Sequence, residues 1–313
     1  MVRALYSAAR EDGHRLFRAL TGARMSALLG FINYDLPLTS RLGRGVKFLK
    51  ACGVDLTECV DPPDRFKTLR DIFERRIRYQ ELRPMPDSAD VVVSPADSRL
   101  LIGSLREASS LFLKGKFFQF DELLGFDKSR WLDAFRDGDF AVFRLTPDKY
   151  HYNHTPVAGI VADFYEIPGR FHSCNPGAVV AVATPYSKNK RVVTVMDTDV
   201  PGGTGVGLVA MIEVVALMIG EVVQCYSEER YDAPQPVEAG LFVKKGAPKS
   251  LYRPGSSTDV LLFQKGRVRF AGDLVANLGR AGVESRFAAG FGKPLVETDV
   301  AVRSAIATAA SGA

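Results

Sequence analysis

The spacing of apolar positions changes near Pro84 and divides the chain into two textures. Upstream, residues 15–29 carry Leu16, Phe17, Leu20, Met25, Leu28 and Leu29 at mixed intervals of three and four. Residues 66–78 carry Phe66, Leu69, Ile72, Phe73 and Ile77 in the same way. That periodicity predicts amphipathic helices, each with one buried face. Asp61-Pro62-Pro63-Asp64 supplies the turn and start signal for the second. Downstream, short apolar runs predict strands over 91–93, 140–145, 159–165, 178–182, 191–196, 205–215, 221–225 and 259–263. Gly, Pro and Asp separate these runs, as turns separate strands. Helices first and strands after predict an α+β fold, with N-terminal helices packed on a mainly antiparallel β core. The expected division is a helical region over 1–80, a β-rich domain over 81–298 and a flexible tail over 299–313. The Ala-rich segment after Thr298 reads as frayed or loosely helical.

Composition narrows the setting. At 313 residues, 46% apolar and 25% charged, the chain has the make-up of a folded protein with ample core. Cys52, Cys59, Cys174 and Cys225 show no C-x-x-C spacing, which argues against a zinc site or a disulfide scaffold and points to a reducing compartment. The longest apolar run, 206–219, is broken by Glu213 and is too short to span a bilayer. Early charges at Arg3, Arg10, Glu11 and Asp12 argue against a signal peptide. The net charge is +5, and the first fifty residues hold nine Lys or Arg against three acidic residues. Such a leader suits either an anionic membrane surface or a solvated basic face. It lacks the interleaved aromatics of a nucleic-acid surface, so no nucleic-acid partner is expected.

Three short segments carry candidate chemistry. Gly255-Ser256-Ser257-Thr258 lies just before the apolar run 260–263. A serine in a glycine turn can attack the carbonyl before it, although most such pairs are ordinary turns. Tyr150-His151-Tyr152-Asn153-His154 holds two of the four histidines. No third ligand accompanies them, so acid–base work suits them better than metal binding, and no metal site is expected. Asp97 follows the strand 91–93 behind Pro95-Ala96 and is suited to orienting a histidine. Asp97, His154 and Ser256 together have the composition of a base-activated nucleophile. Gly202-Gly203-Thr204-Gly205-Val206-Gly207 lacks the Lys-Ser/Thr of a phosphate loop and reads as a turn between strands. Cys174 near His172 has no evident orienting group.

Five blocks in order resemble the phosphatidylserine decarboxylase family of pyruvoyl-dependent decarboxylases, over residues 66–265. They are Phe66 to Arg76 with Arg83-Pro84; Ser94-Pro95-Ala96-Asp97; Lys114-Gly115-Lys116-Phe117-Phe118 with Leu123-Leu124-Gly125; Leu145-Thr146-Pro147-Asp148-Lys149-Tyr150-His151 with His154 and Pro156; and Ile167-Pro168-Gly169 with Asn175. The cleavage pattern, K-G-x-x-x-G-x-F-x-x-G-S-T, is met by Lys245-Gly246 and Gly255-Ser256. Ser250 replaces the middle glycine, Tyr252 replaces the phenylalanine and one serine is added. Ser98 stands where the family usually has glycine.

The resemblance implies self-cleavage between Gly255 and Ser256, or alternatively between Ser256 and Ser257. The serine after the cut would become a pyruvoyl group. Residues 1–255 and 256–313 would remain together as an α/β heterodimer, with a homo-oligomer left open. The implied activity is decarboxylation of phosphatidylserine to phosphatidylethanolamine through a Schiff base, by a peripheral protein on the cytoplasmic side of an anionic membrane. His154, held by Asp97, is expected to be the base for cleavage. His151 is expected to contact the substrate carboxylate or move a proton. The alternatives are a decarboxylase of a free amino acid, a Ser-His-Asp hydrolase that does not cut itself, and a membrane-binding protein with a decayed site.

Overall fold

The computed structural model describes residues 31–35, 53–108, 118–171, 185–216, 221–254, 257–285, 287 and 294–310. The expected helix over 15–29, the basic leader apart from residues 31–35, the strand over 178–182, the His172–Cys174 pair and the Gly255–Ser256 pair lie outside these residues.

Fourteen strands are found among the described residues. In chain order they are β1 (Val91–Val93), β2 (Ser98–Ser104), β3 (Asp139–Leu145), β4 (Tyr152–His154), β5 (Gly159–Ile167), β6 (Arg191–Asp197) and β7 (Leu208–Val214). There follow β8 (Val222–Gln224), β9 (Phe242–Val243), β10 (Pro248–Tyr252), β11 (Ser257–Phe263), β12 (Val268–Phe270), β13 (Thr298–Val300) and β14 (Ala305–Ala309). Eight of them form one sheet in the order β13-β2-β3-β11-β7-β6-β5-β9, and every pairing in it is antiparallel. Two three-stranded sheets, β1-β14-β12 and β4-β10-β8, complete the fold. This is the expected α+β class, dominated by antiparallel sheet.

Both faces of the large sheet are covered, which explains the unbroken apolar runs in β3, β7 and β11. Val260, Leu262, Val142 and Ile212 pack on one face with Phe120, Leu123, Trp131 and Phe135 from the helices Phe120–Leu124 and Ser129–Phe135. Leu261, Phe263, Phe143 and Met211 pack on the other face with Val92, Ile306 and Val268 of one small sheet. Side chains alternate along a strand, so Ser257, Asp259 and Glu213 project to this second side. A third cluster closes one end of the sheet: Phe73, Leu145, Val215, Tyr252 and Ala96.

Two expectations are corrected. The helix read over 66–78 is confined to Leu69–Phe73. Thr68 starts it with a capping box, its hydroxyl accepting from Asp71 N while the Asp71 carboxylate accepts from Thr68 N. Ile77 leaves the helix because its backbone bridges Cys59 and its N–H and C=O both bond the Tyr231 hydroxyl. The segment after Thr298 is not a frayed tail. It supplies β13 and β14, and β14 is the middle strand of its sheet, between β1 and β12. Alanine favours helix only weakly against such tertiary pairing, and burial of Ile306 fixes the strand. The segment 202–207 is the turn between β6 and β7, as read. Gly207 adopts φ 72°, and a Cβ there would meet Gln264 Oε1 at 2.5 Å.

Candidate active site

The segments around Pro95, His151–His154, Tyr252 and Ser257 converge at one end of the large sheet. Ser257, the first residue of β11, pairs with Leu145, the last residue of β3. The loop after β3 carries Tyr150 and His151 into β4, which ends at His154. β4 pairs with β10, and Tyr252 N donates to His151 O at 3.1 Å, which ties the approach to Gly255 to the histidine segment. His154 N donates to Pro95 O at 2.7 Å, which brings the Pro95–Asp97 turn alongside.

His154 is fully buried. Its Nδ1 lies 2.9 Å from Gly246 O. A carbonyl only accepts, so Nδ1 carries the hydrogen and Nε2 the lone pair. Tyr150 Oη, 3.0 Å away, therefore donates to Nε2. Tyr150 Oη is also 2.8 Å from Tyr231 Oη, and Tyr231 lines a cavity of about 310 Å³ with Ile77 and Tyr79. Burial pushes the His154 pKa down to about 4; the Gly246 carbonyl and the Asp97 charge oppose that shift, and the Arg303 charge adds to it. The ring is a neutral base at physiological pH.

Asp97 reaches His154 as a charge and not through a hydrogen bond. Its carboxylate takes a bidentate contact from Arg83 (2.9 Å from Nη2 to Oδ2) and accepts from Val302 N at 2.7 Å. Arg83 also reaches Glu58 Oε2 at 3.0 Å. The expected direct Asp97–His154 contact is thus replaced by a pair of engaged groups in the same end of the molecule.

His151 is fully buried as well. Its ring stacks on Phe73 with centroids 3.5 Å apart, and Nδ1 donates to Lys149 O at 2.8 Å. Nε2 is buried with no hydrogen-bond partner. Burial, reinforced by the Arg75 charge, holds the pKa well below the usual histidine value. Ser257 Oγ is likewise buried without a partner. A neutral base with a fixed lone pair, a second buried lone pair and an unsatisfied hydroxyl at the start of the central strand can move protons around a nucleophilic serine.

Sequence reasoning did not single out Tyr231, Arg83, Glu213, Lys249 or Asp259. The last three form a fully buried polar cluster. Lys249 Nζ lies 2.6 Å from Glu213 Oε2 and 2.9 Å from Gln224 Oε1. Asn153 Nδ2 and Ser250 Oγ both donate to Glu213 Oε1. The available signal was the departure of Ser250 and Tyr252 from the family pattern.

The chain is similar in sequence to known proteins over this region. The family model described as phosphatidylserine decarboxylase matches residues 69–282. Phosphatidylserine decarboxylase proenzyme 2 of Oryza sativa is 33% identical over 232 residues, covering 73% of this chain and 34% of its own length. The phosphatidylserine decarboxylase proenzyme of Bordetella petrii is 30% identical, covering 72% of this chain and 78% of its own. That of Nitrosococcus oceani is 32% identical, covering 74% and 76%. The chain thus spans about a third of the rice protein and about three quarters of the bacterial ones. With the family match running from the Leu69 helix past β11, through the Asp97, His151–His154 and Ser257 segments, the chain belongs to the phosphatidylserine decarboxylase family.

Proposed function

We propose that this chain is a phosphatidylserine decarboxylase that matures by cutting itself between Gly255 and Ser256. The observation that carries the reading is the approach of His151, His154 and the residues on either side of the serine pair at one sheet end. Family membership and the relatives' names as proenzymes support it.

In the first step the proton of the Ser256 hydroxyl passes to the neutral His154 Nε2 by way of Tyr150, which gives its own proton to that nitrogen and takes the serine's. The oxygen attacks the Gly255 carbonyl carbon, the C–N bond breaks, and the proton is delivered to the freed amine, leaving an ester. Removal of the Ser256 α-proton then expels residues 1–255 as a carboxylate. The resulting dehydroalanine tautomerises to an imine, and water displaces ammonia to leave a ketone at residue 256. Asp97 steadies the positive charge that passes through His154 by its field, while Arg83 holds the carboxylate in place.

The residues fit such a group: the hydroxyl at Ser257 and the Nε2 of His151 are buried polar atoms that the protein leaves without partners. The pyruvoyl carbonyl supplies an acceptor for the electron pair released with carbon dioxide. His151, held neutral, offers a lone pair at Nε2; this suits taking and returning a proton better than pairing with a carboxylate as a cation. The basic excess in the first fifty residues supports a peripheral site of action on the cytoplasmic face of an anionic membrane. No helix among the described residues is long and apolar enough to cross one.

Denaturing electrophoresis with mass spectrometry of the small fragment tests the reading. Two fragments are expected, the smaller beginning at a pyruvoyl residue that phenylhydrazine traps. Carbon dioxide should be released from vesicles containing phosphatidylserine and not from free serine. Recovery of one intact chain overturns the proposal.

A further inference from the structure

Two of the three departures from the family's cleavage pattern, Ser250 and Tyr252, have one structural explanation. Each adds a hydroxyl, and each hydroxyl meets a buried carboxyl group. Ser250 Oγ donates to Glu213, and Tyr252 Oη donates to Asp259 Oδ1 at 2.7 Å. Glu213 and Asp259 are directly opposite each other in the β7–β11 register, and both are fully buried.

The backbone is shaped for this. The β10–β4 register slips between Pro248 and Ser250, which inserts Lys249 as an extra residue. Neighbouring side chains on a regular strand point to opposite faces, and a bulge re-aims one of them. Here Lys249 and Ser250 both reach Glu213. Burial raises the Glu213 pKa, but Lys249 and the hydrogen bonds from Lys249, Ser250 and Asn153 outweigh it and hold the group below the ordinary carboxylate range. Burial, together with the Glu213 charge, pushes Asp259 well above that range. Two carboxyl groups shifted in opposite directions therefore face each other across the central strands.

Tyr252 Oη also lies 3.0 Å from Thr258 O. Tyr252 precedes both candidate scissile bonds, and Thr258 and Asp259 follow them. The phenol thus grips the chain on the far side of the cut. We propose that Tyr252 is a positioning residue for self-cleavage, its hydroxyl clamping Thr258 and Asp259 across the serine pair while the Lys249–Glu213 cluster anchors the opposite strand. The clamp rests on the self-processing reading. It also accounts for Ser250 and Tyr252 as coupled replacements in a working cleavage segment, not as decay.

The test follows the rate of conversion of freshly synthesised full chain to two fragments, with circular dichroism and thermal unfolding of each variant. Tyr252→Phe and Asp259→Leu are expected to slow cleavage at least tenfold while retaining native dichroism. Asp259→Asn keeps an acceptor oxygen facing the phenol, and its rate should stay within twofold of wild type. The double variant Tyr252→Phe/Asp259→Leu removes both buried polar groups; it should recover thermal stability but not the cleavage rate. Wild-type rates in Tyr252→Phe, recovery of rate in the double variant, or a tenfold loss in Asp259→Asn would each overturn the clamp. The Asp259→Asn result decides even if a bulkier change prevents folding. A wild-type chain that stays whole disposes of the self-processing reading itself, which is distinct from a wild type that cuts at the same rate as its variants.

Discussion

The Tyr150 hydroxyl donates to His154 Nε2 across 3.0 Å, and the opposite ring nitrogen of His154 donates to Gly246 O. The two contacts fix the tautomer, so the nitrogen with the lone pair is the one that meets the phenol. His154→Ala should leave the protein as a single uncut chain. Normal conversion to two fragments in that variant would remove His154 from the base role.

The two candidate serines separate by mass. Ser256→Ala should abolish cutting, whereas Ser257→Ala should still yield a fragment beginning at residue 256. A small fragment beginning at residue 257 in the wild type would move the scissile bond by one residue.

The depressed pKa of His154 sets a pH signature. Its folded pKa of about 4 lies below the unfolded value of about 6.5. The unfolded chain therefore takes up a proton first as pH falls. His154 lowers stability progressively between those two values, by about 3 kcal/mol in all, and contributes no further change below pH 4. Urea unfolding of wild type and His154→Gln at pH 7 and pH 4.5 checks this, the variant having the flatter profile. Since the base stays neutral down to about pH 5, the His154 contribution to the cleavage rate should hardly change from pH 8 to 5.5.

The Lys249–Glu213 pair is fully buried, so removing one partner strands the other. Lys249→Met should destabilise the protein by about 3–5 kcal/mol, and Lys249→Met/Glu213→Leu should recover most of that loss. Equilibrium denaturation measures both.

Ile306 is fully buried in the middle strand of the β1-β14-β12 sheet. Ile306→Ala should cost about 2–5 kcal/mol in denaturant unfolding. Deleting residues 298–313 should prevent folding, because it removes two paired strands; a soluble, cleavage-competent truncation would contradict the role of β14.

What could be read from the sequence follows from which strands bury apolar side chains on both faces. β1, β3, β6 and β11 are dense in Val, Leu and Phe, and their runs announce them. β10 was missed because Lys249 and Ser250 face the interior, which erases the apolar signal a strand is recognised by. β14 was missed because Ala305, Ala307 and Ala309 have little strand preference of their own and depend on β1 and β12 for pairing. At the site, His151, His154 and Asp97 were legible as residue types in family blocks. The Arg83 grip on Asp97 and the Tyr150–Tyr231 contact were not, since they depend on where the loops meet. Glu213 and Lys249 are 36 residues apart in sequence and were invisible as a pair.

β11 lies between β3 and β7, with every one of its residues buried, and it begins just after the proposed cut. A nick at that point would free the start of an inner strand without releasing the strand. The carboxy-terminal piece could leave only by unzipping both neighbouring ladders, which amounts to unfolding the molecule. Processed molecules should therefore not trade pieces with one another. Isotopically labelled and unlabelled populations mixed under native conditions should keep their original partners indefinitely, and each molecule would work for life with the terminus it made for itself.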